Sequence, residues 1–157
     1  MSLAGPKTVL SQFLSRNEVP SLASFLPYSK EGVETVLRHR LHALKGDPES
    51  TFALSVCHQY GQGVRKDTDE ALRLCKKSAS LGYPLALLSM GNRYYEGTGV
   101  IKDEIEAYAY WNLAGVSLKE GAEYIAEMEK KLTESARLLG QKRSRELQAE
   151  IEANKAK

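Results

Sequence analysis

The feature that most constrains this chain is an internal period of 36 residues. Sliding the sequence by that interval places Gly46 on Gly82, Pro48 on Pro84, Gly61 on Gly97, Gly63 on Gly99 and Val64 on Val100. It also places Lys66 on Lys102, Asp67 on Asp103, Glu70 on Glu106 and Ala71 on Ala107, nine identities in 36 pairs, where average residue usage gives about two. A period of this length is the mark of a stacked repeat, each unit one supersecondary piece that cannot bury its apolar face alone.

The matched residues punctuate helices. Asp47 is an N-cap and Pro48 fits a first turn, where a missing N–H costs nothing. From there to Tyr60, Phe52, Ala53, Val56 and Cys57 have helical spacing. Gly61 and Gly63 supply the positive φ angles that end a helix and turn the chain, and Gly99 is expected to match Gly63. Val64 should tuck beneath that turn. Asp67 with Glu70, and Asp103 with Glu106, resemble capping boxes. Lys76 and Lys77 suit the far end of the dipole. Ala71, Leu72, Cys75 and Ala79 face the core before Gly82 stops the second helix. In the next unit Ala86, Leu87, Met90, Gly91 and Tyr94 mark the first helix. Ala107, Tyr110, Trp111 and Ala114 mark the second, Glu104 to about Ser117. Gly91 inside a helix is unfavourable by about 1 kcal/mol against Ala, which predicts another helix backbone crossing it. The tyrosine-rich stripe reads as core rather than as a ligand cage.

A stacked unit needs its open ends closed. Upstream, Gly32 to Lys45 reads as a helix with Val33, Val36, Leu37, Leu41 and Leu44 apolar, the second helix of a degenerate unit, since Glu34 and Ala43 fall one period before Glu70 and Ala79. Residues 7–16 read as a short amphipathic helix, broken before Pro20 and again at Pro27. Downstream come Ile125, Met128 and Leu132, then Thr133 as N-cap of a long last helix carrying Ala136, Leu139, Leu147 and Ile151. The expected object is one domain, 1–157, of seven or eight helices in one curved layer: N-terminal helices and cap (1–45), repeats at 46–81 and 82–117, and C-terminal capping helices (118–157).

The string Ala86-x3-Met90-Gly91-x2-Tyr94-x2-Gly97-x-Gly99-Val100-x2-Asp103-x3-Ala107-x3-Trp111-x2-Ala114 closely resembles the Sel-one-like repeat, a relative of the tetratricopeptide repeat. The resemblance runs from about Gly46 to Ser117. Gly121 to about Arg145, with Lys131-Leu132-Thr133, looks like the tail that closes small bacterial members. The first unit departs from the pattern at Ser55 and His58, where Gly91 and Tyr94 stand in the second. The resemblance implies an all-α fold, an α/α solenoid: a right-handed superhelix of antiparallel helix pairs. Some secreted members are stapled by cysteines at the positions of Ala79 and Leu87. This chain has neither, so it is a poor match to that subfamily and its suggested hydrolase activity.

The implied function is a non-catalytic adaptor or scaffold that binds a protein or peptide. The alternative is a structural or assembly subunit of a bacterial envelope complex, with a hydrolase behind both. By analogy with the tetratricopeptide relatives, the groove positions are Glu49, Phe52, Val56, Gln59 and Tyr60, then Leu85, Leu88, Asn92, Tyr95 and Glu96. Phe52, Val56, Gln59, Leu88, Asn92 and Tyr95 are taken as the partner-binding residues, with Tyr95 and Phe52 as anchors. Phe52, Val56, Leu85 and Leu88 are too apolar for ordinary solvated positions. Either they grip a partner or the N-terminal segment covers them.

Other classes lack support. The formal charge is +2, and the one basic cluster, Lys142, Arg143 and Arg145, sits among Glu146, Glu150 and Glu152. It reads as a solvated helix face and not as a nucleic-acid contact. No apolar run approaches the ~20 residues of a membrane span. Lys7, Arg16 and Glu18 interrupt any signal-peptide core. Because Met1-Ser2-Leu3 resembles an expression leader, the compartment stays open between cytoplasm and, had a signal been removed, periplasm. Cys57 and Cys75 are expected to be free thiols that do not meet. His39 and His42 share a helix face without a third ligand, so no metal is expected. No Gly-x-Ser-x-Gly, phosphate loop or carboxylate pair is present, hence no catalytic residue and no cofactor is assigned.

Overall fold

A computed structural model describes residues 28–157, and within them the chain forms helices only. They are α1 (Lys30–Leu44), α2 (Pro48–Tyr60), α3 (Thr68–Ser80), α4 (Pro84–Glu96), α5 (Glu104–Ala114), α6 (Lys119–Lys131) and α7 (Glu134–Lys155). The amphipathic helix expected at 7–16 and its breaks at Pro20 and Pro27 lie outside the described residues.

The two repeat units are α2 with α3 and α4 with α5. Their turns are made by glycine: φ is +72° at Gly61, +69° at Gly63, +77° at Gly97 and +75° at Gly99, values an L-residue resists. In both units the amide after the turn closes it, since Asp67 N–H donates to His58 O and Asp103 N–H to Tyr94 O. Val64 packs against the buried cluster formed by Val36, Ala43, Leu54, Cys57 and Leu74.

Aspartates start the helices. Asp47 accepts the Ser50 N–H at 2.9 Å, Asp67 the Glu70 N–H at 2.9 Å, and Asp103 those of Ile105 and Glu106 at 2.9 and 3.0 Å. The capping boxes are nevertheless only half built. The glutamates do not return to the caps, whose own N–H groups are already taken by the turn. Glu70 instead holds Arg73 at 2.7 Å, and Glu106 holds Arg143 at 2.6 Å. At α4 the repeat loses its cap altogether: Tyr83 replaces Asp47, makes no capping bond, and lays its ring against Phe52 with centroids 5.6 Å apart.

These bonds set a pH dependence. Hydrogen bonds from Ser50 hold the Asp47 carboxyl below its ordinary pKa, and the bond from Arg73 does the same for Glu70. Native pKa values below the unfolded ones make a contribution that is full above the unfolded values and lost as pH falls through the native ones. The melting temperature should therefore decline below about pH 4. Asp47→Asn, which keeps an N-cap but cannot titrate, should flatten that decline in thermal scans between pH 5 and 2.

The core runs as three adjoining clusters, which is how stacked repeats bury surface. Val36 and Ala43 of α1 join Leu54, Cys57 and Leu74. Cys75, Ala79, Ala86, Leu87, Met90 and Ala114 join Ile151 of α7. Ala107, Tyr108 and Trp111 join Met128 of α6. Cys57 and Cys75 are buried free thiols. Burial pushes both above the ordinary thiol pKa.

Three expectations are corrected. First, α7 does not extend a single layer. It packs across α5 and reaches the end of α3, forming a second layer outside the repeats. The reason lies in α5, whose apolar residues surround the helix, so it must be covered on every side. The fully buried ring of Tyr108 meets Gly140 of α7, where any Cβ would lie 2.5 Å from its Cδ1. Leu147 and Ile151 are buried, whereas Leu139, expected on the apolar face, is exposed.

Second, Arg143 is not a solvated cation. Its guanidinium bonds Glu106 at 2.6 Å, Glu150 at 3.0 Å and Glu146 at 3.3 Å. Burial alone would lower its pKa, but the bonds to Glu106 and Glu150 outweigh that and hold it above the usual value. Third, no helix backbone crosses Gly91. What occupies the space of its missing side chain is the indole of Trp111.

Candidate functional site

The first helices of the units, α2 and α4, together with α6, border two neighbouring hollows of about 290 Å³ each. The first lies between α2 and α4, lined by Phe52, Ser55, Val56, Gln59 and Tyr60 on one side and Ser89, Asn92, Arg93 and Glu96 on the other. The second lies between α4 and α6, lined by Asn92, Tyr95 and Glu96, then Tyr124, Glu127, Met128 and Lys131, with Trp111 of α5 in its floor. Asn92 and Glu96 border both.

Of the six residues singled out from sequence, Phe52, Val56, Gln59 and Asn92 meet in the first hollow, and Asn92 and Tyr95 in the second. They occupy three register positions, 52/88, 56/92 and 59/95, one helix turn apart, which is why they share a face. Leu88 lines neither hollow. It packs against two of the core clusters and supports the floor. Phe52 is half-buried by Tyr83, and Tyr95 by Trp111, whose centroid lies 5.2 Å away.

Two amides fix the geometry. Gln59 Oε1 accepts from Arg93 Nη2 at 2.9 Å, tying α2 to α4. Asn92 Oδ1 accepts from the Trp111 indole N–H at 2.9 Å. With their oxygens engaged, both amides have NH₂ groups that no acceptor among the described residues takes. Trp111 is held between Tyr95 and Tyr124, the latter at 4.8 Å, and Lys102 stands over the Tyr95 ring at 5.5 Å. Tyr60, 70% exposed, stands at the open edge of the first hollow.

Sequence reasoning missed Arg93, Trp111 and the α6 residues. Trp111 had the spacing of a core residue and is one, only 4% exposed, yet its edge also borders the hollow. In α6 the period keeps a single identity, Ala122 on Ala86, so the register of Tyr124, which falls 36 residues after Leu88 and 72 after Phe52, was easily overlooked. Among the described residues no group of three or more His, Cys, Asp and Glu side chains is placed to hold a metal ion. No helix there is long and apolar enough to cross a membrane.

Paired helices, glycine turns in register and a face formed by the first helix of each pair define an all-α helical-repeat solenoid. Residues 48–83 and 84–115 each match the family model described as Sel1 repeat, so the chain carries two Sel1-like repeats. Solved structures share the architecture, two of them as follows. One is a protective antigen present in uropathogenic Escherichia coli strains displaying an SLR fold, at 28% identity and TM-score 0.68, covering 78% of this chain and 27% of that one. The other is a Sel1 repeat protein from Oxalobacter formigenes, at 24% identity and TM-score 0.63, covering 78% of this chain and 55% of that one. No sequence among the curated proteins matches this chain. Sel1 repeats generally serve as protein-interaction scaffolds, and the fold is typically non-catalytic.

Proposed function

We propose that the paired hollows bind an extended segment of a partner protein, so that the chain acts as an adaptor. The observation that carries this reading is the juxtaposition of aromatic walls with unspent amide donors. The NH₂ groups of Gln59 and Asn92 would donate to main-chain carbonyls of the segment. Phe52, Val56 and Tyr60 would hold one of its side chains, and Tyr95, Trp111 and Tyr124 another. Leu88 contributes from beneath by fixing the floor. Side-chain pockets confer preference, and main-chain bonds tolerate sequence variation.

The chain contains one tryptophan, and its position in the second hollow makes it an intrinsic reporter. Peptides selected from a random library on the immobilised protein should quench or shift Trp111 emission on titration. Tyr60→Ala should weaken those peptides at least tenfold, the scale of an interface anchor. The melting temperature should stay unchanged, because the Tyr60 side chain faces solvent. Selected peptides that bind Tyr60→Ala and Asn92→Ala at parental affinity would place the binding surface elsewhere.

A further inference from the structure

Among the described residues, Arg93 is the one cation lining the first hollow, and none of their ion pairs includes it. Its side chain is partly buried. Nη2 donates to Gln59 Oε1 at 2.9 Å and Nη1 to the Thr98 carbonyl at 3.4 Å. Both acceptors are neutral, so they orient the guanidinium without cancelling its charge, and the rest of its N–H fork is unspent. Arg143, also partly buried, is met by three glutamates. A partly desolvated charge without a counter-ion is unfavourable, and at Arg93 the chain leaves a nearby carboxylate unused. Glu96 stands three residues on, at the spacing of a helical ion pair, yet its carboxylate accepts from Thr98 Oγ1 at 3.3 Å instead. Nor does the repeat demand a cation here. Cys57 and Glu129 occupy the same register one period before and after.

We propose that Arg93 receives the side-chain carboxylate of an Asp or Glu in the segment bound by the hollows. The inference rests on the adaptor reading and gives its partner a chemical class: an apolar stretch interrupted by a single acid. A guanidinium fork matches a carboxylate in two parallel bonds, and one already oriented by Gln59 and Thr98 loses less freedom in making them. Ser89, one helix turn earlier on the same face, lines the hollow beside it with a neutral hydroxyl. Glu96 sets the limit. Its exposed carboxylate borders both hollows and repels a second acid, so one acidic residue is favoured and an acidic run is not. Arg93 stands between the wall formed by Phe52 and Val56 and the second hollow. A segment filling both hollows therefore continues past it on either side, which brings a side chain and not a chain end to the guanidinium.

Peptides selected from a random library on the full chain, then synthesised with amidated C-termini, test this by titration against Trp111 emission. Those whose affinity depends on Tyr60 should share one Asp or Glu. Replacing that acid with Asn or Gln should weaken binding at least tenfold. Arg93→Gln, which keeps a donor for Gln59, should impose a similar loss on the acidic peptide and leave the amide version unchanged. Circular dichroism checks the folding of that variant, and the peptide replacement needs no altered protein. Tyr60-dependent peptides that share no acid, or that bind equally well after its replacement, would overturn the carboxylate site and leave the adaptor reading standing. So would an acidic preference that Arg93→Gln does not change, or binding that requires a free C-terminus, since the anion would then be a chain end. Failure to select any Tyr60-dependent peptide would sink the adaptor reading and this inference with it.

Discussion

Gly91→Ala is expected to destabilise the protein by about 1–3 kcal/mol, although in a bare helix the same change is favourable by about 1 kcal/mol. A Cβ at this position would lie 2.4 Å from Trp111 Cδ1 and 2.5 Å from Nε1. The indole has nowhere to retreat. Its N–H is bonded to Asn92, and Tyr95 and Tyr124 pack against it at 5.2 and 4.8 Å. The first repeat shows the alternative solution at the same register, where Cys75 stands for Trp111 and Ser55 for Gly91. A small partner leaves room for a side chain, and the Ser55 hydroxyl uses it to donate to Ala71 O at 2.7 Å. The departure of the first unit from the repeat pattern is thus a matched exchange of sizes across two helices.

A double-mutant cycle in urea isolates the clash. Trp111→Cys will itself be costly, on the order of 3–5 kcal/mol for a buried tryptophan. In that background Gly91→Ala should become neutral or stabilising, so the two changes will be strongly non-additive. A Gly91→Ala protein with a raised urea midpoint would mean that the indole moves aside freely, and the packing account would fail.

Gly63→Ala is the second large effect, best read against its repeat partner Gly99→Ala. Both glycines have positive φ, +69° and +75°, so each substitution carries strain of about 1–2 kcal/mol. Their surroundings differ. At Gly99 the nearest atom to a new Cβ is Leu72 Cδ2 at 3.4 Å, an ordinary contact, whereas at Gly63 it would lie 2.1 Å from the carbonyl oxygen of Gly32. That neighbour is backbone in the first turn of α1 and cannot rotate away. Gly63→Ala should therefore exceed Gly99→Ala by roughly 2 kcal/mol or more, and the excess should appear as release of α1. In hydrogen exchange, the amides of α1 should lose protection in Gly63→Ala and keep it in Gly99→Ala. Equal losses in the two variants would show that α1 does not rest on this turn.

Both predictions concern close approaches, and these mark where sequence stops being sufficient. The helix pairs, their starts at aspartate, their glycine turns and the face shared by Phe52, Val56, Gln59, Asn92 and Tyr95 were all legible. Each depends on residues within one or two turns of each other and recurs at a fixed period. Gly32, Gly140 and Ser144 gave no such signal, because a small residue has meaning only when its neighbour across the interface is known. Arg143 looked solvated among the glutamates of its own helix until Glu106, far away in sequence, was found beside it. The second hollow is an intermediate case: Tyr124, Met128 and Lys131 of its far wall fall one period after Leu88, Asn92 and Tyr95, but none of these pairs is an identity, so the register showed only once α6 was seen docked there. Local propensity and periodicity determined which helices form and how they pair. Only side-chain packing between distant segments decided that α7 folds back over α5, because covering a helix apolar on all sides requires a partner from outside the repeat.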